Sequence, residues 1–205
     1  MLFRSRLTGC YLNITQGGEP SQTHADGHFR DFIALERDAI GSEASRQYWA
    51  ERLADLAVHR LPRPSSETLD ARSSVVEHVL DISEELSDGL KRVARLAGVP
   101  LKSVLLAAHL RVVGLLSGTH DVVTGMVTNG RPETTGSRDI LGLFLNTVPF
   151  RLQLQPEPWF ELIRRVFQAE QEVLPHRRFP VAEIKKLCGR GELYDVGFNF
   201  VHFHV

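Results

Sequence analysis

One run of ten residues says more about the fold than any other part of the chain: Gly142-Leu143-Phe144-Leu145-Asn146-Thr147-Val148-Pro149-Phe150-Arg151. The composition over 144–154 indicates a β-strand. Pro149 has no backbone N–H to give to a neighbouring strand, so we expect this strand to lie at a sheet edge or to contain a bulge. A sheet edge or a distorted ladder is therefore predicted here.

Two apolar segments precede this strand. Residues 101–116 are apolar nearly all round and are followed by Gly118, which predicts a helix buried between layers. Residues 122–128 indicate a buried strand, and the Asn-Gly-Arg-Pro sequence at 129–132 indicates a turn. The central part of the chain therefore combines strands with a fully enclosed helix.

Further upstream, a strand and a capped helix are predicted. Residues 74–82 alternate between apolar and polar side chains, which is typical of a strand. Ser83 is a good N-cap for the helix that follows, and two glutamates lie in its first turn. Gly98 is placed to end that helix, and Pro100 prevents its continuation.

The two ends of the chain complete the pattern. Helical spacing is present near residues 2–11, over 29–40 and over 42–57, and a proline- and serine-containing linker follows at 59–74. Downstream, Pro158 opens a helix with a strong apolar stripe, a short helix covers 181–187, and residues 194–205 alternate as a strand. Strands and long helices in mixed order predict an α/β sandwich with helices packed on a mixed sheet.

Composition excludes several classes of protein. The chain has 205 residues and a formal net charge of −1, which argues against a nucleic-acid-binding protein. Its longest strictly apolar run, 104–108, is far shorter than a membrane span, and residues 1–7 lack the apolar core of a signal peptide. Cys10 and Cys188 do not make a disulfide framework. We therefore expect a soluble cytoplasmic protein with reduced thiols and no membrane partner.

Six segments along the chain form a recognisable series. They are Tyr48-Trp49 with Leu53; Leu61-Pro62-x-Pro64; Gly98-Val99-Pro100-Leu101 leading into residues 104–108; Asp121-Val122-Val123-Thr124-Gly125 with Arg131; residues 142–151; and Phe198-Asn199-Phe200. The most specific is the Gly-x-Phe-x-Asn-Thr-x-Pro-x-Arg string within the opening run. In type and in order, the six segments resemble the condensation domain of nonribosomal peptide synthetases.

The resemblance implies a domain of two lobes, each similar to chloramphenicol acetyltransferase, that meet at a cleft. One carrier protein brings an acyl or peptidyl donor as a phosphopantetheine thioester, and a second brings an aminoacyl acceptor whose amine attacks it. The family's key motif is His-His-x-x-x-Asp-Gly, and it does not occur in this sequence. The His24-Ala25-Asp26-Gly27 run lacks the paired histidines and the three-residue gap of that motif.

The chain is therefore expected to hold one lobe of such a domain, truncated at both ends. Residues 1–45 would be the tail of the first lobe, 46–74 a crossover helix and linker, and 75–205 an incomplete second lobe. No catalytic residue is assigned, because the motif is absent. The expected partners are carrier proteins and adjacent synthetase domains. The chain itself is expected to bind no cofactor, since phosphopantetheine is carried by the partner.

Five residues are candidates for the site. Asn199, His202 and Asn146 are substrate-tunnel candidates, because amides and imidazoles can bond a substrate carbonyl or amine. Asn146 has the alternative role of fixing a turn or bulge. Arg131 and Arg151 are structural or carrier-contact candidates, because guanidinium groups pair with carboxylates and phosphates. No metal site is predicted, since His202 and His204 lack an identifiable third ligand.

Two other functions stay open at this stage. The chain is expected either to contribute to amide formation in a parent synthetase or to be a non-catalytic module that binds a carrier protein or a neighbouring domain. A stand-alone acyltransferase would need a histidine base, for which His24, His202 and His204 are the candidates.

Overall fold

The computed structural model describes residues 2–19 (side chains from residue 7), 27–57, 60–63 and 75–201. These ranges contain seven α-helices, two short 3₁₀-helices and three β-strands. In chain order they are α1 Leu2–Thr15, α2 Phe29–Gly41, α3 Glu43–Arg52, α4 Glu84–Ala97, α5 Leu101–Ser117, β1 Asp121–Asn129, the 3₁₀-helix Ser137–Asp139, β2 Leu145–Gln153, α6 Trp159–Val173, the 3₁₀-helix Leu174–His176, α7 Val181–Cys188 and β3 Gly197–Phe198.

The sheet is mixed, as predicted. Its strand order is β2-β1-β3. Strands β1 and β2 are antiparallel with one-to-one register from Asp121↔Gln153 to Asn129↔Leu145. Strand β3 runs parallel to β1. Pro149 therefore lies in an edge strand of the described sheet and in an unbroken ladder, so the edge is confirmed and the bulge is not present.

Helices cover both faces of the sheet. Helix α5 lies on one face, where Gly114 sits against Val122 and Leu154 and where His109 reaches Thr124. Alternate residues of a strand point to opposite faces. The other face is therefore that of Gly125 and Arg151, where the end of α3 and the chain after α7 pack.

The core includes the helix that was predicted to cross between lobes. Trp49 of α3 is completely buried. It belongs to the same apolar cluster as the buried residues of α5, of α6, of α7 and of the two long strands. The lobe boundaries at 45/46 and 74/75 stay predictions, but α3 packs with the elements of the predicted second lobe.

The local start and stop signals are confirmed. Ser42 and Ser83 accept a hydrogen bond from the backbone N–H three residues later, as N-caps do. Gly98 and Gly118 end α4 and α5 in the left-handed conformation, which glycine adopts without a Cβ clash.

Three of the predicted elements differ from those in the structure: one is absent and two are shorter. The strand predicted over 74–82 is wrong: residues 75–83 form no helix or strand, and Val75, Val79 and Leu80 are exposed. No described strand lies beside this segment to complete a ladder. The helix predicted over 42–57 ends at Arg52, because the carbonyls of Arg52 and Ala54 accept hydrogen bonds from Arg151. The predicted last strand is reduced to Gly197–Phe198 within the described residues.

None of the described helices is by itself long and apolar enough to cross a bilayer. Helices α4 and α5 satisfy the length and composition requirement only as a pair, with a bend of 103° between them.

Candidate functional site

Arg131 holds the loop between the two long strands. Its Nη1 donates to the carbonyls of Ser137 and Ile140, the latter at 2.8 Å, and its guanidinium carbon lies 3.9 Å from the centroid of the Phe144 ring. Burial lowers the pKa of Arg131. This side chain therefore ties the loop to a small apolar cluster of Phe32, Ile140 and Phe144.

Both the nitrogen and the oxygen of the Asn146 side-chain amide form hydrogen bonds with the backbone just before and at the start of α7. Its Nδ2 donates to the carbonyls of Arg177 at 2.9 Å and Phe179 at 2.8 Å. Its Oδ1 accepts from the N–H of Val181 at 3.3 Å. These contacts agree with the alternative role of fixing a turn, and they leave no amide hydrogen for a substrate.

Glu133 binds the turn before α7 through two ion pairs. Its two carboxylate oxygens accept hydrogen bonds from the guanidinium groups of Arg177 and Arg178, both of which are mostly buried. Arg178 also donates to the carbonyl of Gly130 at 2.8 Å. The turns after β1 and before α7 are therefore joined into one polar unit.

We expect Asn146→Ala to lower the free energy of unfolding by about 2 kcal/mol, since it removes three bonds to partly buried backbone groups. Urea unfolding monitored by circular dichroism measures the change. Asn146→Asp is the matched variant: it keeps the acceptor for Val181 but brings a carboxylate against two carbonyls, so we expect it to be at least as destabilising. A loss below about 0.5 kcal/mol for both variants contradicts this role.

Arg151 forms the densest polar contact of the sheet. Its guanidinium binds Asp121 through two bonds, Nε to Oδ1 at 2.8 Å and Nη2 to Oδ2 at 2.6 Å. Its Nη1 donates to the carbonyls of Arg52 at 3.2 Å and Ala54 at 2.7 Å. The bond to Asp121 raises the pKa of Arg151. The residue thus joins the end of α3 to both long strands.

Asn199 follows β3 directly and is exposed. It makes no hydrogen bond within the part of the chain that the structure describes, so its amide is open to a ligand. His202, His204 and His24 lie outside the described residues. Of the three tunnel candidates, the described structure therefore places Asn199 at the surface and Asn146 in a backbone contact.

Sequence analysis missed the group that anchors β3. His109 Nε2 lies 2.9 Å from Thr124 Oγ1, and that hydroxyl donates to the carbonyl of Val196 at 3.1 Å. Since the hydroxyl hydrogen is used on Val196, Nε2 of His109 must carry the proton that it shares with Thr124. The signal was a histidine near the middle of a helix that is apolar nearly all round.

A second histidine, His176, ties α3 to the 3₁₀-helix after α6. Its Nδ1 lies 2.9 Å from Ser45 Oγ, and its ring stacks on Tyr48 with centroids 4.2 Å apart. Burial lowers the pKa of both His109 and His176 from the ordinary value of 6.5. Neither imidazole lies beside a cluster of three metal-ligating side chains in the described ranges.

These two histidines predict a loss of stability in mild acid. Because their pKa values are lower in the folded chain than in the unfolded one, the unfolded chain binds more protons as the pH falls below 6.5. We expect the melting temperature to be highest above that pH and to fall between about pH 6.5 and 5, before most carboxylates titrate.

Replacing either histidine tests this assignment. His109→Gln and His176→Gln are expected to flatten the decline, and His78→Gln, on the exposed segment 75–83, serves as the matched control. Melting curves at a series of pH values give the slopes. If all three variants keep the native slope, the two half-buried imidazoles are not its cause.

One protein-family model matches nearly the whole chain. The model of the condensation domain matches residues 2–203. The chain belongs to the condensation-domain family. Because the matched range contains all six segments named above, the resemblance drawn from them is confirmed.

Two similar synthetases come from bacteria. AMB antimetabolite synthetase AmbE of Pseudomonas aeruginosa is 40% identical over 199 residues, which cover 97% of the chain and 9% of AmbE. Gramicidin S synthase 2 of Brevibacillus brevis is 31% identical over 183 residues, which cover 87% of the chain and 4% of that synthase. The chain spans less than a tenth of the length of either relative.

Solved structures confirm the fold. The first condensation domain of the calcium-dependent antibiotic synthetase, in complex with a substrate analogue, has a TM-score of 0.70 and 24% identity over 94% of the chain and 45% of the domain. The X-domain from teicoplanin biosynthesis, in its complex with OxyB, has a TM-score of 0.73 and 20% identity over 94% of the chain and 44% of that structure. The predicted α/β fold of the chloramphenicol acetyltransferase type is therefore confirmed.

Proposed function

We propose that this chain is part of a domain that forms an amide bond between two carrier-bound substrates. The match of the condensation family to residues 2–203 carries the proposal. In the reaction, the amine nitrogen of the acceptor attacks the thioester carbonyl of the donor. A C–N bond forms, the C–S bond breaks, and the proton lost by the amine is balanced by the proton that the departing thiolate takes up.

Such a reaction needs oriented substrates, a proton acceptor and hydrogen-bond donors for the oxyanion. The paired-histidine motif that supplies the polar centre in the family does not occur in this sequence. The role proposed for residues 75–201 is therefore scaffolding, with Asn199 as the group that faces the substrate. Its unbonded amide at the end of β3 supports this role.

The proposed partners are carrier proteins and adjacent domains of a synthetase. Phosphopantetheine would reach the domain on those carriers, so the chain itself would bind no cofactor. Asn146, Arg131 and Arg151 would act on the substrates only indirectly, because their polar atoms hold backbone segments. This division separates residues that position the site from the one that contacts the ligand.

Replacement within a relative tests the proposal. Residues 2–203, which the condensation-domain model matches, replace the corresponding segment of AmbE, and amide products are measured by mass spectrometry after the carriers are loaded. We expect product from the hybrid domain and none from the isolated 205-residue chain. The native AmbE is the positive control. Absence of product from a folded hybrid with loaded carriers overturns the proposal.

A second candidate function is a non-catalytic module that recruits another protein. One observation favours it: the X-domain shares this fold and is found in complex with OxyB. The same hybrid separates the two functions. Binding of the loaded carrier without amide formation supports the recruiting module, whereas turnover supports the condensing domain.

A further inference from the structure

An open cavity of about 610 Å³ lies between the segment 60–63 and the turn that follows α7. Its wall carries three guanidinium groups and two carboxylates. The side chains are Arg60, Arg63, Arg190, Glu192, Tyr194 and Asp195. This cavity is separate from the contacts of Asn146, Arg131 and Arg151, and a ligand bound there need not take part in amide formation.

Both carboxylates of this cavity already have partners. Asp195 accepts a bond from the backbone N–H of Leu61 at 3.0 Å and pairs with Arg63. The other carboxylate, Glu192, lies 3.6 Å from Nζ of Lys185. Asp195 is therefore bound to Arg63, and the charge of Glu192 is shared with Lys185.

Two guanidinium groups of the cavity have no counter-charge within the described residues. Arg190 donates to the carbonyl of Leu56, which is a neutral acceptor. Arg60 is exposed and makes no bond or ion pair there. Three arginines against two carboxylates leave the lining with one net positive charge, and Lys185 beside Glu192 adds a second. A concave surface of this charge raises the local concentration of anions.

A second arginine-lined cavity shows the contrast. It has a volume of about 400 Å³ and is lined by Arg52, Arg151 and Arg165. Each of these arginines has its own carboxylate: Glu172, Asp121 and Glu157 respectively. In this second cavity, therefore, every arginine is paired with an acid, which is not the case in the first.

We propose that the cavity lined by Arg60, Arg63 and Arg190 binds a small phosphate monoester. A dianionic phosphate would balance Arg60 and Arg190 while leaving the Arg63–Asp195 pair intact, and guanidinium forks match phosphate oxygens. The cavity has room for an organic group beside the phosphate. Tyr194 fixes one wall for that group, because its hydroxyl donates to the carbonyl of Thr147 at 3.2 Å.

Calorimetry with phenyl phosphate on the full 205-residue chain tests the proposal. We expect saturable binding at low ionic strength that weakens as salt is added. Arg60→Gln should weaken it about tenfold, since it removes a charged donor. Arg92→Gln removes an exposed arginine of α4 outside the cavity and should leave binding unchanged, and phenol should not bind.

Arg190→Gln is the second variant, and it should weaken binding to a similar extent at a temperature where circular dichroism shows a native spectrum. The proposal is overturned by absence of saturable binding, by equal weakening in Arg60→Gln and Arg92→Gln, or by benzoate binding as tightly as phenyl phosphate. None of these outcomes depends on amide synthesis, so the proposed function and this site fail independently.

Discussion

Arg151→Ala is expected to lower the free energy of unfolding by about 3 kcal/mol. The substitution leaves Asp121 partly buried without its two bonds and removes the donor for two carbonyls at the end of α3. Both side chains of the pair are about four-fifths buried, so solvent replaces these bonds only in part. Urea unfolding at neutral pH gives the value from the midpoint and slope.

One matched variant and one control show which interaction causes that loss of stability. Arg151→Lys keeps the positive charge but cannot make the two-pronged bond to Asp121 or reach all four acceptors, so we expect it to lose more than half as much. Arg46→Ala removes an exposed ion pair with Glu43 and should cost under about 1 kcal/mol. If Arg151→Lys is as stable as the native chain, the charge alone matters and the geometry described above does not.

Gly125→Ala is expected to cost about 3 kcal/mol by overpacking. A Cβ at this position would lie 2.4 Å from Cε2 of Tyr194 and within 2.8 Å of two further ring atoms. The ring cannot swing away freely, because the Tyr194 hydroxyl is bonded to Thr147. Gly125 also pairs with β3, and its N–H donates to Val196 at 2.8 Å, so relief by backbone movement would weaken the strand that leads to Asn199.

A double-mutant cycle isolates the clash. Tyr194→Ala removes the ring, and in that background Gly125→Ala should cost less than about 1 kcal/mol, because the three atoms nearest to the added Cβ all belong to that ring. The free energies of unfolding of the four proteins complete the cycle. Additive losses for the two substitutions would show that the ring does not explain why glycine is at 125.

Local signals in the sequence predicted most helix boundaries. Ser83, Gly98 and Gly118 act through their own turns, so neighbouring residues are enough to place them. The strand predicted over 74–82 failed because alternation shows which side chains could share a face and does not supply a neighbouring strand. The helix end at Arg52 was missed for a similar reason: its carbonyl partner, Arg151, is distant in sequence.

The candidate site was predicted unevenly. The types of contact made by Arg151 and Asn146 were anticipated, namely a carboxylate partner and a turn. Their partners could not be anticipated. The pairing of Arg151 with Asp121 depends on the register of β1 and β2, and the contacts of Asn146 depend on how the chain before α7 packs against β2. His109 was passed over because its role depends on Thr124 and Val196, which only the packing of α5 on the sheet brings together.

The yield of amide from AmbE carrying residues 2–203 of this chain tests the central claim most directly. The account predicts a rate of amide formation within about tenfold of that of native AmbE, because a replacement segment with 40% identity should change the barrier by no more than about 1.4 kcal/mol. A folded hybrid that accepts loaded carriers and forms no amide would contradict the account.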